Sequence, residues 1–292
     1  MFQNAIVMLA LDDRDAAVLR LITDHHARFG LEALIVVHVV PRSAVPEELS
    51  AGLSVGRVER PPGLDAAAEA LRAALGPGVS VRSEFGHGDP VEVLEEIVQG
   101  NGVDLLVIGR AARTGAGPAW GPSGRKLMRA VTCSVLVVPA GASWSGARAT
   151  VGLDFSTCAS YALKAAVKVA PSVDAVYQYT LDSAGGGQVT DAEFQEKLSE
   201  NARRHFEQVV LPSLGGAPAP SFALRLADDA ASALLASPTD ALLVVGSRGL
   251  SRIATVLLGS TAERVAGLTD GPLLVVRRKG EVIGLLEGLF HR

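Results

Sequence analysis

Gly246-Ser-Arg-Gly249-Leu-Ser-Arg-Ile-Ala-Thr-Val-Leu-Leu-Gly259-Ser260-Thr261 follows directly on the apolar run Ala241-Leu-Leu-Val-Val245. A short, wholly apolar run of this kind reads as a strand buried on both faces of a parallel sheet. Two glycines three positions apart let the backbone turn tightly and come close to a ligand. Ser260, with Glu263 three residues later, is helix-start text: a hydroxyl N-cap completed by a capping box. A strand, a glycine turn and a helix N-terminus in series make a cradle for phosphate groups.

Working outward, the whole order of elements occurs twice. In the first half, patterning predicts strands at 4–11, 32–40, 79–85, 103–109 and 134–139, and helices at 15–29, 64–75, 89–100 and 123–131. The second half predicts strands at 149–153, 173–180, 220–226, 240–246 and 272–277, and helices at 157–170, 191–211, 228–236 and 260–268. Alternation of strand and helix implies parallel strands joined by right-handed crossovers. The local text repeats as well. Asp104-Leu-Leu-Val-Ile-Gly109 parallels Asp240-Ala-Leu-Leu-Val-Val-Gly246, and Cys133-Ser-Val-Leu-Val-Val138 parallels Gly271-Pro-Leu-Leu-Val-Val276. Ala10-Leu-Asp12 parallels Gly152-Leu-Asp154. These parallels indicate a tandem duplication. Domains are expected at 1–142 and 147–280, joined near Ala140–Gly146. A tail at 281–292 places Val282, Leu285, Leu286, Leu289 and Phe290 at helical spacing.

Composition narrows the function. Lys and Arg number 27 against 31 Asp and Glu, a net charge of −4, which argues against non-specific nucleic-acid binding. Aromatic residues at 4% are too few for a single-strand stacking platform. Cys133 and Cys158 lack metal-ligand spacing and read as buried thiols in a reducing compartment. The N-terminus has no basic segment before its apolar run, and no apolar run approaches a membrane span of roughly 20 residues. A cytoplasmic protein is therefore expected. Gly121-Pro-Ser-Gly-Arg-Lys126 is not a P-loop, and neither a dinucleotide fingerprint nor a G-x-S-x-G elbow occurs. His25 and His26 are adjacent on a helix, cannot share one metal-binding face, and read as surface residues.

Each half resembles a universal stress protein domain. The marks are strongest in the second half, in Gly152-Leu-Asp154-Phe-Ser156 and in the GxxG-x9-G[ST] pattern of 246–260. The resemblance implies an α/β fold of two tandem open parallel five-stranded sheets, Rossmann-like, with helices on both faces. It also implies ATP, with or without Mg²⁺, above the strand ends of the second half. Asp154 then lies against the adenosine part, although Asp-Phe-Ser also suits helix capping. Tyr179 falls where the second strand touches adenine, and either stacks on the base, partly fills the pocket or covers the sheet edge. Gly246 and Gly249 approach the ribose and phosphates, and Gly259, Ser260 and Thr261 hold phosphate. No catalytic residue or metal ligand is assigned.

Two departures matter. The second half has Ala227-Asp-Asp-Ala230 where the first has Gly88-Asp89-Pro90. The first half keeps Asp12 but has Gly109-Arg-Ala-Ala112, places Gly121 12 residues after Gly109 rather than 13, and carries Pro122 where Ser260 stands. No ATP is expected there. Its Arg110, Arg113, Arg125 and Lys126 read as a solvated basic face or as another kind of anion site. The resemblance implies a nucleotide-dependent stress sensor or regulator. A slow ATPase or nucleotide-transfer enzyme and a nucleotide-free interaction module stay open. Pairing of Ser134–Val138 with Leu273–Arg277 would give an internal pseudo-dimer, and a homodimer is expected beyond it.

Overall fold

The computed structural model describes residues 2–41, 59–115, 117, 119–120, 122–180, 191–248 and 258–277. The amphipathic tail at 281–292 lies outside them. In the first half, the chain runs β1 (Asn4–Met8), α1 (Asp15–Phe29), β2 (Ala33–Val40), α2 (Pro62–Leu75), β3 (Ser80–His87), α3 (Pro90–Asn101), β4 (Leu105–Arg110), α4 (Pro122–Ala130) and β5 (Ser134–Pro139). The second half runs β6 (Arg148–Gly152), α5 (Thr157–Val169), β7 (Ser172–Tyr179), α6 (Asp191–His205), β8 (Ser221–Leu226), α7 (Ala230–Leu235), β9 (Leu242–Gly246), α8 (Ser260–Leu268) and β10 (Leu273–Val276). A π-turn at Phe206–Val210 and a 3-10 turn at Pro212–Leu214 prolong α6. Helix starts follow local chemistry: Asp89 caps α3 ahead of Pro90, Ser156 caps α5 and Asp229 caps α7.

The two halves do not form separate sheets. Their strands make one ten-stranded sheet in the order β3-β2-β1-β4-β5-β10-β9-β6-β7-β8. Every neighbouring pair is parallel except β5 and β10, which run antiparallel with Leu136 opposite Leu274. Alternation along the strands sends Val107, Leu136, Leu274 and Val244 to one face, under α1, α2 and α5. It sends Ile108, Val135, Val275 and Val245 to the other, under α3, α4, α7 and α8. Each core therefore runs without a break through both halves.

The register of the halves corrects one sequence parallel. Leu9 N–H bonds the Val37 carbonyl at 2.8 Å, and Leu153 N–H bonds that of Val176 at 2.9 Å. Two residues later Leu11 and Phe155 take the same left-handed backbone, with φ of 59° and 60°. Ala10, not Asp12, is therefore the counterpart of Asp154, and Met8 is that of Gly152. The shared Leu-Asp text lies two residues out of register. Asp12 instead pairs with Arg14 at 2.5 Å.

Polar contacts bind the seam. Arg110, buried, donates from Nη2 to the Thr269 carbonyl, and Arg277 donates from Nη2 to that of Met128. Burial lowers the Arg110 pKa and pulls that of Arg277 to about 10. Arg113 reaches Asp270 at 3.2 Å, and Arg125 and Arg129 reach Glu263 at 3.4 and 2.7 Å. The solvated-face reading is thus overturned for the buried Arg110, while Arg113 and Arg125 stay partly exposed and pair with carboxylates of the other half.

The connection at 140–146 is also anchored. Trp144 is buried, its indole N–H bonds the Arg148 carbonyl at 2.8 Å, and its ring meets those of His25 and Phe29. His25 is buried too, 2.7 Å from the Trp144 carbonyl through Nε2, which corrects its surface assignment. A Cβ on Gly146 would come within 3.0 Å of both His25 and Arg28, so only glycine lets the chain pass.

Two expected outcomes follow from this packing. Trp144→Ala should lower stability by about 3–5 kcal/mol, read from urea unfolding followed by circular dichroism; a loss under ~1 kcal/mol would mean that the connection packs loosely. Cys158 is partly exposed, whereas Cys133 is buried and its thiol is pushed up to about 11. At about pH 8 a thiol reagent should label one cysteine in the native protein and both after denaturation. Rapid native labelling of Cys133, located by peptide mapping, would contradict this.

Candidate functional site

In the second half the strand order reverses at β6: the chain leaves it for β7 and β8, then returns on the other side as β9. Open α/β sheets form their ligand crevice at such a point, at the carboxyl ends of the strands. A cavity of about 340 Å³ opens there. Asp154 enters it from the turn after β6, Gly246 and Arg248 from the end of β9, and Gly259, Ser260 and Thr261 from the start of α8. Val176, Ala233 and Leu234 form an apolar wall. Gly249 lies outside the described residues.

Asp154 is held by its own turn. Its Oδ1 accepts the Ser156 N–H at 2.9 Å, while Ser156 in turn caps α5 through Ala159. Asp154 thus braces the turn ahead of the helix, whose N-cap is Ser156, and lines the cavity. Phe155 supplies the sharp turn, and its left-handed backbone costs roughly 1–2 kcal/mol. Rings of Tyr177, His205 and Phe222 pack around it at centroid distances of 5.2, 4.8 and 6.2 Å. Leu11 takes the same backbone in the first half, so the turn belongs to the fold rather than to the acidic residue.

Tyr179 does not line the cavity. It is buried, and alternation along β7 places it on the face of Val173 and Ala175, away from Val176. Tyr177 and Gln178 line the cavity instead. Gln178 was missed at the sequence level, although its parity with Val176 marks it for the same face. Its amide donates to the Ala227 carbonyl at 2.7 Å, and Ala227 N–H bonds the Tyr179 carbonyl at 3.2 Å. The segment without the Gly-x-Pro step is thereby fastened to the end of β7.

The start of α8 departs from its sequence reading. Gly259, not Ser260, is the N-cap, and no side chain caps the helix. The Gly259 N–H bonds the Ser247 carbonyl at 2.7 Å, and the Ser247 N–H bonds that of Val276 at 3.0 Å. The loop base is thus tied to the seam strand. With Gly259 as the N-cap, Glu263 stands one residue beyond the capping-box position, and its carboxylate pairs with Arg125 and Arg129 of the first half instead. The first-turn N–H groups of Ser260, Thr261 and Ala262 have no intrahelical acceptor, and all three residues line the cavity. Together with the helix dipole they favour an anion.

Gly246 has a second reason to be glycine. An added Cβ would lie 2.7 Å from the carbonyl carbon of Cys158, so α5 could not approach β9. Among the described residues, no group of three or more His, Cys, Asp or Glu could hold a metal ion. No helix among them is long and apolar enough to cross a membrane.

Comparison with known proteins agrees with the duplicated architecture. The sequence profile of the universal stress protein family matches residues 1–139 and again 147–277. Among curated proteins, no sequence matches this chain. A universal stress protein of Archaeoglobus fulgidus is similar in structure, with a TM-score of 0.67 and 19% identity over 94% of this chain and 98% of that one. A functionally unknown protein of Pseudomonas aeruginosa gives a TM-score of 0.62 and 17% identity, covering 100% of this chain and 98% of the other. At these identities the likeness establishes the fold. The paired profile matches, on two copies of the 3-2-1-4-5 sheet order, place the chain in the universal stress protein family.

Proposed function

We propose that the second half binds ATP and that the chain acts as a nucleotide-responsive regulator in a stress response. The observation that carries this reading is the uncapped N-terminus of α8 opening, together with Asp154, onto one cavity. Ser260, Thr261 and the first-turn amides would take the phosphates, with Arg248 alongside. The carboxylate of Asp154 would accept from ribose hydroxyls. Val176, Ala233 and Leu234 offer adenine an apolar slot, and Gln178 offers it an amide. Mg²⁺ would enter on the phosphates, which is how this ion is commonly held.

In this reading residues 1–142 and 147–280 are two domains that form an internal pseudo-dimer through β5 and β10, and the first carries no ATP. Ala10 supports that last point, since it brings a methyl group where the second half has a carboxylate. Two chains would associate further as a homodimer, and β3 and β8 are the sheet edges left for such contacts.

Calorimetric titration with ATP and Mg²⁺ tests the site. Asp154→Ala should weaken binding about tenfold or more, and Gly259→Glu should abolish it by setting a carboxylate against the phosphates. Normal affinity in both variants would defeat the proposal. Gly246→Ala separates packing from binding: it should destabilise the nucleotide-free protein by about 1–3 kcal/mol, seen in scanning calorimetry. An unchanged melting temperature would assign the glycine to the ligand alone.

A further inference from the structure

The first-half cavity is chemically different from the second. It encloses about 540 Å³, against about 340 Å³. Ala10 and Met8 stand where Asp154 and Gly152 stand, so a carboxylate is lost and an apolar surface gained. Pro122 gives α4 no N–H at its first residue. The Trp120 ring lies over the first turn of that helix, so close that a Cβ on Gly124 would be 2.5 Å from it. The seat for phosphate is therefore closed, and Ile108 and Leu127 extend the apolar wall.

Arg110 interrupts that wall. Arg110 is 2% exposed and lines the cavity, on the same face of β4 as Ile108. Its Nη atoms donate to the carbonyls of Ala111 and Thr269, but its Nε–H has no acceptor among the described residues. No carboxylate lies within ion-pair distance of it among the described residues. A buried cation with an unmet donor is costly. The other charged groups of the cavity are already engaged. Asp15 accepts the N–H groups of Ala10 and Leu11 at 3.0 and 2.6 Å, and Arg14 is paired with Asp12.

We propose that this cavity binds a small carboxylic acid with an apolar body, its carboxylate on Arg110 and its body against Trp120, Met8 and Ile108. The proposal is independent of the nucleotide reading of the second half. Its test is calorimetry of the full chain with phenylacetate and octanoate, each compared with its amide. At least one acid should bind saturably, about tenfold or more tighter than its amide. The indole N–H resonance of Trp120, assigned through Trp120→Phe, should move while that of Trp144 stays. Arg110→Met should erase the preference for acid over amide. Ala10→Leu, which fills the cavity and leaves Arg110 in place, should abolish binding. No saturable binding of either acid, equal binding of acid and amide, or a shift confined to Trp144 would overturn the proposal.

Discussion

Antiparallel pairing of β5 with β10 is the constraint on which the rest of the molecule depends. Each half, taken alone, would end its sheet on an apolar strand with an open ladder of backbone donors and acceptors. Val135 to Val138 and Leu273 to Val275 are essentially inaccessible once the two strands meet. Because those strands alternate in facing, their pairing also joins the cores above and below the sheet. The buried arginines, the Glu263 pairs and the Trp144 anchor all follow from bringing these edges together. A parallel sheet must be covered on both faces, and here the coverage is complete only across the seam.

The proposed nucleotide cradle is tied to that same seam. Ser247 connects the start of the loop after β9 to Val276, and Glu263 in the first turn of α8 is held by arginines of the other half. An acidic residue near a phosphate seat would ordinarily oppose an anion. Pairing with Arg125 and Arg129 offsets that charge, so the electrostatics of one half's crevice depend on the helix of the other. The arginines are well exposed, which keeps the contribution of each pair small.

Much of the fold was legible because its signals are local. Apolar runs such as Leu105–Ile108 and Leu242–Val245 announce buried strands, and glycines and prolines punctuate them. The repeat gave the topology twice. What escaped depends on register and on tertiary partners. The Leu-Asp words at 11–12 and 153–154 look alike, but hydrogen bonds from Leu9 and Leu153 align Ala10 with Asp154. Tyr179 and Gln178 are adjacent in sequence, yet Gln178 lines the crevice with Val176 while Tyr179 is buried outside it. The capping box at Ser260 and Glu263 failed because the helix is capped one residue earlier, at Gly259, which puts both side chains out of its register. His25 looked like a surface residue because nothing nearby in sequence reveals that Trp144 will close over it.

Covalent linkage of the two halves has a consequence for how the molecule can diverge. Were the same sheet assembled from two identical chains, every substitution would appear on both sides of the axis, and a residue suited to one crevice would be imposed on the other. In a single chain the partner strand is always present at a fixed, high local concentration, so neither half needs to match the other to be completed by it. Ala10 opposite Asp154, and Arg110 opposite Ser247, are differences that a symmetric pair could not sustain. Fusion turns a self-complementary contact into a permanent template, beside which two pockets of common ancestry are free to acquire different chemistries.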